Sequence, residues 1–236
     1  MPTELSLRPA REDEADAVAA VYLAARREAA MPPGIHPEHE VRAWLAGRLR
    51  DDEVWVAETP ETQSGRLAAY ARMTETWLDD LYVAPEHARQ GIGSALLDLV
   101  KSRRPDGFCL WVFEMNVPAR AFYARHGLVE LERTDGEGNE EKAPDVRMAW
   151  PGQDPLAFFR GLIDDVDDQL GDLLARRVAL TREVQLLKAG GGAEPRDPER
   201  ERQIAARLAV RAPELGEERL AWIVHAIVSA SLDATR

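Results

Sequence analysis

The sequence predicts two domains of different fold class, an α/β domain followed by an all-helical domain. The chain has 236 residues, whereas single domains cluster at about 100 to 150 residues. Short β-like runs alternate with amphipathic helical patterns before residue 151 and vanish after residue 155. Two prolines and a glycine at 151–155 interrupt any regular pattern and indicate a linker. We therefore predict domains at 1–152 and 153–236.

Strands and helices alternate in the first domain. Six apolar or β-branched runs predict strands, and they are 5–7, 54–57, 67–73, 77–83, 108–113 and 146–150. Four segments with apolar residues at three- and four-residue spacing predict helices, and they are 13–28, 38–49, 91–102 and 118–126. An α/β layer domain follows from this order.

One long helical pattern dominates the second domain. Residues 156–188 contain no proline, and at 1.5 Å per residue they would form a rod of about 50 Å. Such a helix is longer than a domain of this size covers by itself, so we expect it to need a partner. Asp197 and Pro198 predict the start of a second helix, and a third runs from about 213 or 217 to the end.

Charge and composition exclude several classes of partner. The net charge of −12 repels phosphate backbones and disfavours nucleic acid. No run approaches the roughly 18 apolar residues of a membrane span. The first residues lack a secretory signal pattern. A lone cysteine, Cys109, forms no internal disulfide, so we expect a cytoplasmic protein in which Cys109 packs in an apolar strand.

A glycine turn joins an apolar strand to a helix at residues 83–97. Gly91 and Gly93 allow the backbone to approach a ligand closely, and the following helix presents free N–H groups and the positive end of its dipole. A pyrophosphate would fit there, and a plain turn is the alternative.

This turn and a second segment resemble the GNAT-superfamily N-acetyltransferases over nearly all of residues 3–150. Gly91 and Gly93 sit on the family's glycine positions for the acetyl-CoA pyrophosphate. Residues 116–127 contain the family's asparagine, aromatic pair and glycine in order. Ala88 stands where the family usually has Gln or Arg. The resemblance implies an α/β acyltransferase with a mixed, twisted sheet and flanking helices, acetyl-CoA as cosubstrate and an amine as acceptor.

The resemblance also assigns roles to residues. Backbone groups of residues 81–83 would hold the pantetheine arm and the amides of residues 89–94 the pyrophosphate. Tyr123 would protonate the departing thiolate, and its alternative role is packing under Phe122. The implied acetyl-CoA set is Leu81, Val83, Arg89, Gln90, Gly91, Ile92, Gly93, Ser94 and Asn116.

The pattern leaves the general base of acetyl transfer open. Candidate carboxylates in or beside the central strands are Glu75, Asp79, Asp80 and Glu114, each of which could instead be a solvated strand-end charge. His36 and His39 lack a third metal ligand, so we expect no metal and interpret residues 33–39 as a loop over the acceptor site. The acidic balance favours a cationic or amine acceptor.

Cations lie on the apolar face of the long helix. Its stripe is Ile163, Val166, Leu170, Leu174, Val184 and Leu187, which we expect to face inward. Helical spacing adds Arg177 and Lys188 to this face, and Arg160 lies three residues before its start. Unpaired cations at a core are costly, and Asp167 on the same stripe could neutralise one of them. An anionic ligand between helices is therefore predicted.

These cations resemble the all-helical, type II chorismate mutases over residues 156–236. The matching elements are Arg160 with Ile163 and Asp167, then 173–177, Lys188 and 197–201. The resemblance implies an intertwined helical homodimer of the shikimate pathway and aromatic amino acid biosynthesis. Its reaction converts chorismate to prephenate without a cofactor.

Substrate contacts also follow from the resemblance. Arg177 and the other subunit's Arg160 would grip the two carboxylates of chorismate, and Lys188 would hydrogen-bond the ether oxygen. The remaining assigned residues are Arg200 beside Asp197, Asp197 and Glu201 at the ring hydroxyl, Ser231 near a carboxylate, and Thr235 where the family usually has Gln or Glu.

Three alternatives stay open. A 4-amino-4-deoxychorismate mutase would explain the fusion, because its product carries an amine that an acetyltransferase can use. A lyase acting on isochorismate shares the helical fold. A regulatory protein that senses CoA or aromatic metabolites is suggested by the two departures from the family patterns, Ala88 and Thr235.

Overall fold

The computed structural model describes residues 5–60, 62, 66–189 and 197–235, without the side chains of residues 188 and 189. The chain divides into two compact units, residues 1–159 and residues 160–236. The domain limits 1–152 and 153–236 remain a prediction. Each unit is described separately below.

The first unit contains two antiparallel sheets. One has the strand order β1-β2-β3-β4 and the other has the order β5-β7-β6. The strands are β1 (Ser6–Pro9), β2 (Glu53–Glu58), β3 (Ala69–Met73), β4 (Leu78–Val83), β5 (Phe108–Phe113), β6 (Val129–Thr134) and β7 (Asp145–Trp150). In the described chain a parallel bridge between Trp77 and Cys109 links the sheets, and the Cys109 amide donates to the Thr76 carbonyl at 2.9 Å.

Helices cover the faces of these sheets and bury the core. They are α1 (Ala15–Glu28), α2 (Glu38–Asp51), α3 (Ile92–Arg103) and α4 (Val117–Arg125). The α3 side chains Leu96 and Leu97 are fully buried in a cluster that includes Phe108 of β5. Val18 of α1 and Leu45 of α2 belong to a second buried cluster. Cys109 is buried as predicted, and burial raises the pKa of its thiol.

The second unit is entirely helical in its described part. Helix α5 (Pro155–Ala189) begins in the first unit and continues into the second, followed by α6 (Pro198–Arg211) and α7 (Gly216–Asp233). Helices α6 and α7 pack around Ala205, Leu220 and Val224. The single long helix and the start of the next one at Pro198 agree with the sequence pattern.

The apolar stripe of α5 does not face inward in this chain, contrary to the expectation. Five of its six predicted members are exposed, namely Ile163, Val166, Leu170, Val184 and Leu187. Leu174 is half-buried. The expectation was wrong for the single chain because α6 and α7 bury their apolar residues mainly against each other.

Strand β6 was not predicted from the sequence. All six of its residues are exposed, so it carries neither a continuous apolar run nor a buried face that would identify it. Strands β3 and β4 begin at Ala69 and Leu78, later than predicted, and α1 begins at Ala15 after a short 3₁₀ turn at 12–14. Across the described segments, each helix is too short or too polar to span a bilayer.

Candidate functional site

A cleft of about 610 Å³ opens in the first unit where β4 and β5 separate. The parallel bridge at Trp77 and Cys109 joins the two strands at their starts. Beyond it, β4 continues its ladder with β3, while β5 pairs with β7. Leu81, Trp111, Asn116 and Tyr123 are among the residues that line the cleft.

The edge of β4 that faces away from β3 carries backbone groups toward this cleft. The Ala84 amide donates to the Ala68 carbonyl at 2.8 Å. Backbone groups alternate in direction along a strand. The N–H and C=O groups of Leu81 and Val83 therefore point away from β3, at the positions that the sequence assigned to the pantetheine arm.

The glycine turn directs the start of α3. Gly91 is the N-cap and has φ +86°, and Arg89 is also left-handed at φ +61°. Glycine adopts this conformation without the steric cost that a side chain incurs. The amides of Ile92, Gly93 and Ser94 begin the helix, where N–H groups have no acceptor within it. Such a helix start binds anions.

Tyr123 and Asn116 meet in the same cleft. Asn116 caps α4 by accepting a hydrogen bond from the Ala119 amide at 3.2 Å. Tyr123 is 8% exposed, and burial, aided by the charge of Asp80, raises the pKa of its phenol. The phenol is therefore protonated at neutral pH. The ring of Tyr123 also contacts Phe122 edge-on at 5.2 Å, so it both packs and lines the cleft.

Of the four candidate bases, Asp79 lines the cleft. It is the extra residue of a β-bulge, because Arg72 pairs with Asp80 and Met73 pairs with Leu78. A bulge redirects the side chain at the irregular position. The Asp79 side chain is 27% exposed, and its partial burial raises the pKa of Asp79, although the neighbouring Arg72 opposes the shift.

The other three candidates lie elsewhere. Asp80 is buried and accepts a 2.6 Å hydrogen bond from Arg72. Glu114 pairs with Arg133 at 2.8 Å. Glu75 is exposed. Because Glu75, Asp80 and Glu114 are not among the cleft-lining residues, the geometry favours Asp79 as the base.

A second cavity of about 460 Å³ shares Met31 and Glu141 with the cleft. Residues 33–36 line it, and their role as a loop over the acceptor site stays a prediction. Arg26 and Glu141 form an ion pair at 2.9 Å between side chains that are 12% and 16% exposed. These two residues were missed because they are 115 positions apart, and no local pattern joins them.

His36, which lies in this loop, contacts two carboxylates outside it. Its ring nitrogens lie 3.3 Å from Glu40 and 2.9 Å from Glu140, and these contacts raise the pKa of His36. Among the residues that the structure describes, no group of three His, Cys, Asp or Glu side chains is arranged to hold a metal. His36 thus ties the loop to the segment before β7.

In the second unit the structure brings Arg177 and Ser231 together. The Nη1 atom of Arg177 donates to Ser231 Oγ at 2.5 Å and to the Ile227 carbonyl at 3.4 Å. Ser231 is 2% exposed and donates to the same carbonyl at 2.7 Å. Arg177 is half-buried. Its guanidinium is therefore held against α7 rather than extended into solvent.

The other positions that were predicted for the mutase site each have their own contacts in the second unit. Asp197 caps α6 by accepting from the Arg200 amide at 3.0 Å, and the Arg200 residue is exposed. Glu201 Oε2 lies 3.5 Å from His225 Nδ1. Thr235 donates to the Leu232 carbonyl at 3.0 Å.

Arg160 is not brought to Arg177 in this chain. Arg160 is exposed. It lies 17 residues before Arg177 on the same helix, a separation of about 25 Å at 1.5 Å per residue. The side chain of Lys188 lies outside the described residues.

Family comparisons agree with this division of the chain. Residues 50–130 match the family model for an acetyltransferase (GNAT) domain, and residues 159–236 match the model for chorismate mutase type II. Both matched families are enzyme families. The chain carries a GNAT acetyltransferase domain followed by a type II chorismate mutase domain.

Individual relatives match the first domain. The peptidyl-lysine N-acetyltransferase YiaC of Escherichia coli is 33% identical over 106 residues, which are 44% of this chain and 66% of YiaC. The apo-form structure of YjaB from E. coli has a TM-score of 0.51 at 19% identity, covering 63% of this chain and 98% of YjaB. A GCN5-related N-acetyltransferase from Rhodopseudomonas palustris has a TM-score of 0.52 at 21% identity, covering 64% and 98%. These structures show a shared fold.

We expect Ser231→Ala to destabilise the second unit. It removes the hydroxyl that accepts from Arg177, and a hydrogen bond to a charged group contributes about 1.5–3 kcal/mol. Hydrogen–deuterium exchange of α7 amides measures the loss. Thr235→Ala removes a comparable hydroxyl-to-carbonyl bond near the end of the chain and should change protection by less than about 0.5 kcal/mol. Equal effects of the two substitutions would contradict the importance of the Arg177 contact.

Proposed function

We propose that the protein is a bifunctional enzyme, a chorismate mutase fused to an acetyl-CoA-dependent N-acetyltransferase. The observation that carries the mutase activity is the guanidinium of Arg177, held by Ser231 on the face of α5 that also carries the apolar stripe. The observation that carries acetyl transfer is the cleft that contains Asp79 and Tyr123. The buried free thiol of Cys109 fits a cytoplasmic location.

The mutase reaction depends on positioning. Conversion of chorismate to prephenate is a unimolecular rearrangement, so it needs no general acid, general base or cofactor. Guanidinium groups bind carboxylates in two-point contacts, and Arg177 would hold one carboxylate in this way. Lys188 would stabilise negative charge that develops on the oxygen of the breaking C–O bond. Holding the compact conformer lowers the entropic part of the barrier.

A homodimer completes this site. Because Arg160 lies about 25 Å from Arg177 along α5, one small substrate does not bridge the two within a single chain. The exposed apolar stripe of α5 supplies a surface for a second copy, with Ile163, Val166 and Leu170 at 58%, 60% and 47% exposure. Burying such side chains contributes about 1.5–3 kcal/mol each. Arg160 of the second subunit would then bind the other carboxylate.

We expect the full chain to sediment as a dimer and Leu170→Glu to convert it to monomers without mutase activity, because the new charge would be buried in the interface. Analytical ultracentrifugation and the mutase assay give the two measurements. Asp168→Lys places a charge change on the opposite, polar face of α5 and should leave the dimer intact. A fully active monomer of the wild-type chain would contradict the shared site.

The mutase assay uses chorismate, 4-amino-4-deoxychorismate and isochorismate in parallel, each followed by the change in its absorbance. We expect Arg177→Ala to lower kcat/KM by about 10² to 10³, because loss of one partner of a hydrogen-bonded charge pair costs about 2–5 kcal/mol. Arg176→Ala removes an adjacent, exposed arginine and should stay within a few-fold of wild type. The preferred substrate identifies the activity, and consumption of none of the three rules out the proposed mutase.

For acetyl transfer we infer that Asp79 is the base and Tyr123 the acid. Asp79 would take a proton from the ammonium group of the acceptor, and the neutral amine would attack the thioester carbonyl. Tyr123 would donate its phenolic proton to the thiolate that leaves. Backbone groups of Leu81 and Val83 would bind the pantetheine arm, and the amides of residues 92–94 the pyrophosphate.

The cleft favours a cationic amine as acceptor. Within the described residues, its charged lining side chains are all acidic and are Asp79, Glu141 and Asp145. Carboxylates stabilise an ammonium group. The similarity to YiaC suggests a lysine side chain of a peptide as one acceptor class. The fusion suggests a second class, the amine made by an aminodeoxychorismate mutase.

We expect Asp79→Asn to lower kcat/KM for acetyl transfer by about 10² to 10⁴, the usual contribution of a positioned base. In the wild type the rate should fall with decreasing pH through the pKa of Asp79, which burial places above that of an ordinary carboxylate. Glu75→Gln, at an exposed position, is the matched control. A peptide lysine, aromatic amines and a simple alkylamine form the acceptor panel. An unchanged rate in Asp79→Asn would assign the base elsewhere.

A sensing role is the second candidate. Thr235 donates to the helix carbonyl of Leu232 at the position where the mutase family usually has Gln or Glu, and Ala88 lacks the usual polar side chain of the acetyltransferase family. Calorimetry that finds tight binding of acetyl-CoA or chorismate without turnover would favour this role. A measurable rate that Arg177→Ala abolishes would exclude it for the second domain.

A further inference from the structure

Arg72 of β3 lies directly behind the cleft residue Asp79. The Arg72 side chain is 9% exposed. Its Nε donates to Asp80 at 2.6 Å, and its Nη1 donates to Asp52 at 2.8 Å and lies 3.8 Å from Asp79 Oδ1. The Trp44 ring stacks 4.9 Å from its Cζ. One buried cation thus contacts three carboxylates that come from two different segments of the chain.

Other groups that act on Asp79 are limited in the described structure. Asp80 follows it on β4, Asp52 follows α2, and Thr74 after β3 donates hydrogen bonds to it. Arg104 after α3 donates to the Thr74 carbonyl at 2.9 Å and forms an ion pair with Glu53 at 2.9 Å. Arg72 is therefore the cation closest to the Asp79 carboxylate among these groups, while Asp52 and Asp80 compete for it.

We propose that Arg72 is a positioning residue for acetyl transfer, holding the Asp79 carboxylate at the cleft and lowering its affinity for a proton. The proposal rests on the proposed role of Asp79 as the base. Asp52 and Asp80 anchor the guanidinium from the other side, so that Arg72 acts on the reaction through Asp79 and does not contact the acceptor. The bulge at Asp79 places its carboxylate close to Arg72, which also binds Asp52 and Asp80.

This arrangement predicts shifts of opposite sign for two substitutions. Arg72→Gln removes the positive charge and leaves Asp52 and Asp80 negative, so Asp79 should bind its proton more tightly. Asp52→Asn removes a competing negative charge and leaves Arg72 in place, so Asp79 should bind its proton less tightly. A purely structural role for Arg72 would not produce shifts in both directions.

The test is a titration of the Asp79 carboxyl carbon by NMR in the full-length protein, with Asp79→Asn to assign its signal. We expect at least about a tenfold rise in proton affinity for Arg72→Gln, the lower end of the effect of an adjacent opposite charge. Arg72→Lys should remain close to wild type because it keeps the charge. Asp52→Asn should lower the affinity by about two- to fivefold, since a like charge at longer range acts more weakly.

Arg8→Gln is the matched control. Arg8 lies in β1 of the same sheet and binds Glu14 and Glu58 at 2.6 and 2.5 Å, but it does not line the cleft. Its loss should leave the Asp79 titration unchanged. If Arg72→Gln fails to fold because Asp80 is left buried without its partner, Asp52→Asn decides the question. An unchanged or increased proton affinity in Asp52→Asn overturns the proposal.

A second readout separates this proposal from the proposed function. The acid limb of kcat/KM against pH should move with the NMR titration in each variant. If no amine is acetylated by the wild type, or if Asp79→Asn remains fully active, the acetyl-transfer assignment fails. The NMR shifts still decide whether Arg72 controls the Asp79 carboxyl. If the assignment holds and the shifts are absent, only the positioning role is lost.

Discussion

The separation of β4 from β5 after a single bridge is the constraint on which the first domain depends. A strand inside a protein normally satisfies its backbone groups on both edges. Here the edge of β4 that carries Leu81 and Val83 faces a cleft instead of a neighbouring strand. The Asp79 bulge, the start of α3 and Tyr123 all lie along this opening. A ligand with amide groups of its own would supply the hydrogen bonds that a neighbouring strand otherwise provides.

In the second domain, helix α5 lacks apolar contacts along one face. Helices α6 and α7 share a small buried cluster, whereas α5 exposes a row of large aliphatic side chains. A row of this length at the surface of a soluble protein favours association. Arg177 lies within the same face, yet its hydrogen bond to Ser231 keeps the guanidinium ordered. The proposed homodimer would cover this apolar surface and would bring a second arginine to the same face.

Most elements could be predicted from the sequence because periodicity reports directly on burial. Helix α5 and the Asp197 cap are examples. Strand β6 was not predicted because none of its residues is buried. The sequence alone could not distinguish Asp79 from Asp80 as the candidate base, because the β-bulge at Asp79 is defined by the pairing of β3 with β4. The contact of Arg26 with Glu141 depends on tertiary folding alone. The exposure of the α5 stripe could not be predicted because it depends on how α6 and α7 pack against each other.

Cys109 has a practical consequence for work on this molecule. The thiol is buried in β5, Arg147 donates to its Sγ at 3.4 Å, and its pKa is raised. Thiolate is the form that reacts with maleimides and iodoacetamides, so the native chain should resist labelling while folded. A cysteine introduced at an exposed site then becomes the single attachment point for a fluorophore or spin label. Each domain can be labelled in turn without first replacing Cys109.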